Sequence, residues 1–446
     1  MMGQNRPSIL VTGGAGYVGA TFIRDALAKG YQVRCLDILI YGGKTLAGFL
    51  NNPSFELIKG DVRVKKDVEE ALENIDAVVH LAAVVGDLPC QVAPKSSFQI
   101  NFEGTQLMAE SARKRKIRRF IFSSTCSNYG VVDPEIPADE NRKLNPVSLY
   151  AETKIDCENY LASLENGSFH PTCLRYGTAY GVSFRTRFDL LLNSFVYEAL
   201  FEKELMVFGA NTWRPYIHVA DMSQVLLKVL EADENKVGKQ IFNAGTTSEN
   251  YKKEDVVHMI EEALPNIKAH YSNSIDDVRN YKVDFSKIEQ TIGFKPTLTV
   301  QKGIQELIFC FRTGVLSKTD FENKQMILDL YHKNFDFLVE VKESEFLPAK
   351  KTGRWYSPMD RSLRRELKSS FGTAFWFSTT KYKETVDLRI KYKNGILQIY
   401  FPKNKIAPSS VRIFALWITL PGLLLIMIAI VFLKNQTRPI VNLAKA

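Results

Sequence analysis

Cysteine is scarce in this chain and poorly placed for covalent or metal work. Its six cysteines all lie at or before Cys310, at irregular spacings and without a C-x-x-C pair. That usage excludes a disulfide framework and a zinc ribbon and fits a reducing compartment, with no metal expected. A charge excess is also missing from the first 315 residues, which hold 36 Lys+Arg against 38 Asp+Glu. They offer no basic face for a phosphate backbone, so nucleic acid is excluded as a partner. The N-terminus lacks the basic, apolar and small-residue succession of a secretory signal, which places this part in the cytoplasm.

What is present begins with Ser8-Ile9-Leu10-Val11-Thr12, a short apolar run expected to be a buried strand. It leads into Gly13-Gly14-Ala15-Gly16-Tyr17-Val18-Gly19 and a helical stretch to Ala28-Lys29-Gly30. A second strand, Gln32 to Leu36, ends at Asp37, 18 residues beyond Gly19. Strand, glycine loop, helix, strand and acid in that order form a dinucleotide site. The glycines permit a tight turn and close approach to a pyrophosphate, and the helix N-terminus offers free N–H groups. A carboxylate at Asp37 suits ribose hydroxyls and repels a 2′-phosphate, favouring NAD over NADP.

Further strands are expected at Phe55–Val62, Ala77–Ala83 and Arg119–Thr125, alternating with amphipathic helices such as Val68 to Leu72 and Gly104 to Ala112. Such alternation predicts an α/β fold with a doubly wound parallel sheet, whose ligands sit beyond the carboxyl ends of the strands. Tyr150 and Lys154 stand four apart, on one face of a helix. An ammonium so placed lowers the phenol pKa from about 10 toward neutrality and makes a general base. His80 and His218 read as packing residues.

In order and spacing, Thr12 to Gly19, Asp61-Val62, Leu81-Ala82-Ala83, Ser123-Ser124-Thr125 with Tyr129-Gly130, and Tyr150 to Lys154 resemble the extended short-chain dehydrogenases/reductases. Within that family the likeness is to the NAD-dependent nucleotide-sugar epimerases and dehydratases, over about residues 7 to 315. The resemblance implies a Rossmann-type NAD-binding domain (1–173) and a smaller α/β substrate domain (174–318) whose chain crosses back to the sheet. It places Gly13, Gly16, Tyr17, Val18, Gly19, Asp37, Asp61, Val62, Leu81, Ala82, Ala83, Asn101, Ser123, Tyr150 and Lys154 at the cofactor. Tyr150 is then the base, Lys154 holds the nicotinamide ribose, and Thr125 bonds the sugar hydroxyl. Ser124, Thr178, Arg185, Arg187, Arg214 and Arg279 complete a nucleotide-diphosphate sugar site, with Arg214 and Arg279 clamping the diphosphate. Thr178 stands where many relatives carry Asn. A homodimer through the helices near 100–115 and 150–165 is implied as well.

The dehydratases of that family carry Asp-Glu after the threonine, where an acid expels the leaving hydroxyl. Cys126 and Ser127 stand there instead, which disfavours dehydration. The expected chemistry is oxidation of a sugar hydroxyl, at C4, and return of the hydride to the other face. Two alternatives are a nucleotide-4-ketosugar reductase that releases its cofactor each turnover, and a membrane-tethered sensor that binds nucleotide without catalysis.

The chain is longer than the 310 to 340 or so residues that close this fold, and its composition shifts after residue 315. Residues 316–446 hold 22 Lys+Arg and 11 Asp+Glu, the whole basic excess of the chain. Val386 to Tyr392 alternates and Gly395 to Phe401 is apolar, predicting a small sheet in an α+β segment (327–410). Phe375-Trp376-Phe377 is either an aromatic strand or an interface anchor. Val411 to Leu433 is 23 residues long with Arg412 as its one charge, long enough for a single membrane span. From about 327 the chain resembles the periplasmic end, second membrane helix and first HAMP residues (434–446) of sensor histidine kinases. A cytoplasmic enzyme and a periplasmic segment disagree about sides of a membrane. The pairing points to a gene fusion, either genuine or an artefact of a frameshift or assembly error; a genuine one would sit in the inner membrane with a single span.

Overall fold

The apolar run Ser8–Thr12 lies inside a sheet, with Ile9, Leu10 and Val11 fully buried. The computed structural model describes residues 7–164, 169–272, 278–318, 338–343, 347–348, 358–371, 374–380, 385–392 and 395–402. The chain divides into two compact units, Met1–Lys324 and Gln325–Ala446.

In the first unit the strands are β1 (Ser8–Thr12), β2 (Gln32–Asp37), β3 (Phe55–Lys59), β4 (Ala77–His80), β5 (Arg119–Thr125), β6 (His170–Tyr176), β7 (Thr178–Tyr180), β8 (Glu204–Phe208), β9 (Trp213–His218), β10 (Gln240–Ala244), β11 (Asn250–Lys252) and β12 (Lys268–Ser272). One sheet runs β10-β6-β5-β4-β1-β2-β3, and all its neighbours are parallel. Burial on both faces explains why its inner strands are almost continuously apolar. Strand order reverses between β1 and β4, so a crevice opens there beyond the carboxyl ends. This is the Rossmann-like α/β sheet expected from the sequence.

A smaller layer follows, with sheets β11-β9-β7 and β12-β8. Leu192, Val196, Val256, Ile260, Ile304 and Leu307 form its core, contributed by the helices Leu191–Phe201, Lys253–Ala263 and Val300–Arg312. From within this stretch β10 returns to pair with β6.

The helix Leu149–Ser163 is fixed to the large sheet by a buried charge pair. Glu158 and Arg175 are 2 % and 3 % exposed. Arg175 reaches Glu158 through Nη2 at 2.6 Å and Nε at 3.0 Å. Ser124 and Asn128 also donate to Glu158 Oε1, so the carboxylate is fully bonded. Arg175 Nη1 meets the Tyr129 hydroxyl, which bonds Asn243 on β10. One network therefore joins the helix to β5, β6 and β10.

The second unit holds β13 (Leu338–Glu343), β14 (Phe375–Ser378), β15 (Thr385–Tyr392) and β16 (Gly395–Pro402), antiparallel in the order β13-β16-β15-β14. Alternation on β15 buries Val386, Leu388 and Ile390, and the aromatic run Phe375–Phe377 is strand β14. A helix, Pro358–Phe371, carries Leu367 into the core. The expected span 411–433 and the tail 434–446 lie outside the described residues. Among the described residues no helix is long and apolar enough to cross a membrane.

Removing one partner of a fully buried ion pair leaves an uncompensated charge in a low dielectric. Glu158→Ala should therefore destabilise the first unit by about 3–5 kcal/mol. The readout is the urea midpoint, and an unchanged midpoint would show that the pair contributes nothing.

Candidate active site

The glycine loop is shaped by close backbone approach. Gly13 has φ +71°, and a Cβ there would lie 2.8 Å from the backbone nitrogen of Ala82. Only glycine satisfies both the dihedral and the space. A Cβ on Gly19 would strike the Gly13 carbonyl and lie 2.6 Å from Gly14 Cα. The helix Tyr17–Ala28 thus rests directly on the loop. Gly16 is its N-cap and no side chain caps it, which leaves N–H groups at the helix start for an anion. These features fit a dinucleotide pyrophosphate. Tyr17 contributes backbone only, since its buried hydroxyl donates to the Gly181 carbonyl at 2.9 Å. Val18 is half-buried against the core.

Asp37 ends β2 and accepts from the Ala15 N–H at 2.9 Å and the Leu39 N–H at 2.7 Å. Burial raises its carboxyl above the usual range, while those amides and Arg185 pull it down. Arg185 also stacks on Tyr41, 3.4 Å from the ring centroid. It therefore belongs to the Asp37 end of the crevice rather than to a diphosphate cluster with the other arginines. Asp61 is ion-paired with Arg63 at 2.5 Å, and Val62 is buried in the core beside Gly104. Beyond β4, Leu81 and Ala82 bond back to Thr12. Asn101 holds Val84 from both sides, accepting its N–H at 2.7 Å and donating to its carbonyl at 3.0 Å. The Asn101 amide therefore sets the path of the Ala82–Val84 segment. His80 bridges Thr12 and Thr105. Burial pushes it down to about 3, so it is a neutral packing residue. His218 caps the helix Val219–Glu231 through Nδ1.

Tyr150 is half-buried in the first turn of the helix Leu149–Ser163, whose N-cap Ser148 accepts from Ala151. Lys154, one turn on, is buried and donates to the Ser123 carbonyl at 2.7 Å. Its ammonium lies 5.9 Å from the centre of the Tyr150 ring. Burial raises the Tyr150 phenol above its ordinary value and lowers Lys154 below its own. Arg187 and Arg279 counter the rise at Tyr150, while Cys90 and Asp87 add to it. Arg187 and Arg279 thus add depressing charge beyond the Lys154 to which the sequence pointed.

Successive residues at the end of β5 face opposite ways. Thr125 accepts from the Ser127 N–H at 3.1 Å. Ser124 instead turns inward and donates to Glu158. The buried Cys126 thiol donates to the Arg175 carbonyl at 3.2 Å, and burial raises it well above the usual thiol range. Thr178 opens β7 in register with Tyr216. Arg214 is buried beside Tyr281 and donates to the Arg279 carbonyl at 2.5 Å. Arg187 is held by Asp189 through two bonds, of 3.1 and 2.6 Å. Arg279 bonds Ser127 at 3.2 Å and pairs with Asp87 at 3.1 Å. Arg187, Arg279, Tyr150 and Ser127 therefore converge, whereas Arg185 and Ser124 point elsewhere. Sequence reasoning missed Asp87 and Glu158. Asp87 follows the carboxyl end of β4, a position that alone marks it as a ligand candidate.

The sequence pattern of the NAD dependent epimerase/dehydratase family matches residues 9–245. The chain is 28% identical over 330 residues to UDP-glucuronic acid decarboxylase 1 of Arabidopsis thaliana, covering 72% of this chain and 73% of that one. It is 28% identical over 307 residues to a putative UDP-glucose 4-epimerase of Methanocaldococcus jannaschii, covering 67% and 97%. The UDP-glucose 4-epimerase of Thermus thermophilus in complex with NAD superposes with a TM-score of 0.60 at 25% identity, over 68% of this chain and 99% of that one. If the glycine loop serves that cofactor, Gly19→Ala should lower NADH affinity at least about tenfold. Fluorescence titration of NADH reads this, with circular dichroism confirming the fold; unchanged affinity would refute the placement. With the match spanning more than half its length, the chain belongs to the NAD dependent epimerase/dehydratase family.

Proposed function

We propose that the first unit is a nucleotide-sugar 4-epimerase with NAD as its cofactor. The observation that carries this reading is the segment after Thr125. Cys126 is buried and committed to the Arg175 carbonyl, and Ser127 is bonded to Arg279. Neither is placed to protonate a leaving hydroxyl, which disfavours dehydration and supports a reading in which Tyr150 serves reversible oxidation.

Thr125 and Tyr150 would bond the sugar hydroxyl, and Tyr150 as phenolate removes its proton. NAD held at the glycine loop would supply the acceptor, and afterwards the donor, of a hydride at the same carbon. Tyr150 then returns its proton to the oxygen, on a sugar that has turned its other face. Lys154, anchored on Ser123, would hold the nicotinamide ribose, and Asp37 the adenosine ribose. Arg214 and Arg279 would bind the diphosphate, for which guanidinium forks are suited. The phenol must ionise to act, and burial opposes this. Arg187 and Arg279 favour the phenolate and bring the base toward its working range.

For the second unit we propose a sensor-kinase-like segment on the strength of sequence resemblance alone.

Two outcomes test the mechanism. Tyr150→Phe should abolish interconversion of UDP-glucose and UDP-galactose while NAD still copurifies; residual turnover within tenfold of the parent would exclude the tyrosine as base. Arg187→Gln removes a positive charge that lowers the phenol pKa, so the rising limb of the kcat/KM profile should move to higher pH, by on the order of one unit.

A further inference from the structure

A carboxylate reaches the catalytic crevice from an element the sequence pattern does not mark. Asp87 follows Gly86, whose φ of +106° turns the chain beyond the carboxyl end of β4. Arg279 links Asp87 to Ser127: Nη2 pairs with Asp87 Oδ2 at 3.1 Å, and Nη1 donates to Ser127 Oγ at 3.2 Å. The position left without an acid after Thr125 thus has a carboxylate beside it. Asp87 Oδ1 is buried and meets no donor among the described residues. The charge of Asp87 also acts on the Tyr150 phenol, in keeping with that placement.

The charges in that pocket come in pairs. Arg187 and Arg279 both act on Tyr150. Each has a carboxylate of its own, Asp189 for the first and Asp87 for the second. A sugar presented to Tyr150 therefore comes near a carboxylate with unused acceptor capacity at Oδ1, beside cations already matched by acids. An ionised carboxylate only accepts hydrogen bonds, so it suits hydroxyl groups and repels a second carboxylate.

We propose that Asp87 is a specificity-determining residue that selects a nucleotide sugar with a neutral hexose over one with a uronic acid. The proposal rests on the nucleotide-sugar reading above and deepens it: Oδ1 accepts a hydrogen bond from a hexose hydroxyl, and its charge opposes a C6 carboxylate. It separates this chain from the UDP-glucuronic acid decarboxylases among its relatives. A hydrogen bond to a charged group and a like-charge contact each change affinity on the order of tenfold.

The test is calorimetric titration of the purified full chain, loaded with NAD, with UDP-glucose and with UDP-glucuronate at neutral pH. The parent should bind UDP-glucose at least about tenfold tighter. Asp87→Asn should shrink that ratio by about tenfold through gained uronate affinity, and Asp87→Glu should keep it. Equal or tighter binding of the uronate by the parent overturns the proposal, as does an unchanged ratio in folded Asp87→Asn. Because binding is read rather than turnover, bound UDP-glucose without interconversion would sink the epimerase reading and leave this one standing. Binding of neither compound overturns both.

Discussion

The contact between Glu158 and Arg175 is the constraint on which the site's geometry rests. Taking two charges out of water costs several kcal/mol for each ion, and the loss is offset only when geometry is good and every lone pair is used. Both conditions are met: the guanidinium binds the carboxylate through two nitrogens, and Ser124 and Asn128 complete it. Partly bonded buried networks are costly, and complete ones favour a single arrangement. Tyr150, Lys154 and Glu158 follow one another at four-residue intervals along one helical face. The first two carry the proposed chemistry, and the third fixes the helix that carries them. Because Ser124 is part of the same network, the end of β5 and the helix are set against each other by one group of bonds.

What could be read from the sequence follows the range of each signal. β1, the glycine loop, its helix, β2 and Asp37 are consecutive, and their functions depend on local backbone geometry. Their arrangement was therefore legible without knowledge of distant contacts. The parallel sheet was legible for a similar reason, since apolar strands alternating with amphipathic helices have few ways to bury both faces. The downstream arginines were not equally legible. Arg185 and Arg187 are two apart, yet one stacks on Tyr41 by Asp37 and the other faces Tyr150. A run of three hydroxyl residues at the end of β5 likewise hides the strand's alternation, which sends Ser124 inward.

The phenol shows how a sign argument from sequence can gain sources that the sequence does not reveal. Tyr150 needs nearby positive charge because burial disfavours the phenolate. Spacing nominated Lys154, which is four residues away and on the right face. In the folded chain that ammonium also donates to the Ser123 carbonyl, and guanidinium groups from two distant segments add their charge at the phenol. The base and its modulators thus come from different layers of the first unit. Lys154, bonded to the Ser123 carbonyl, is fixed beside the strand end.

Pairing each arginine with an acid also explains how a strongly charged crevice can be ready before anything enters it. A free guanidinium side chain samples many rotamers, and ordering it on binding costs affinity. Held by Asp189 or Asp87, Arg187 and Arg279 are already oriented. A diphosphate with two negative charges can compete for Arg279 where a weaker anion gains little over the acid in place. The same pairing limits net charge near Tyr150, so the phenol responds to which partner each arginine keeps. A substrate that drew Arg279 toward its phosphates would leave Asp87 with less of its counter-charge and a stronger need for donors, and sugar hydroxyls provide them. Phosphate binding and hydroxyl recognition would then favour each other through Arg279.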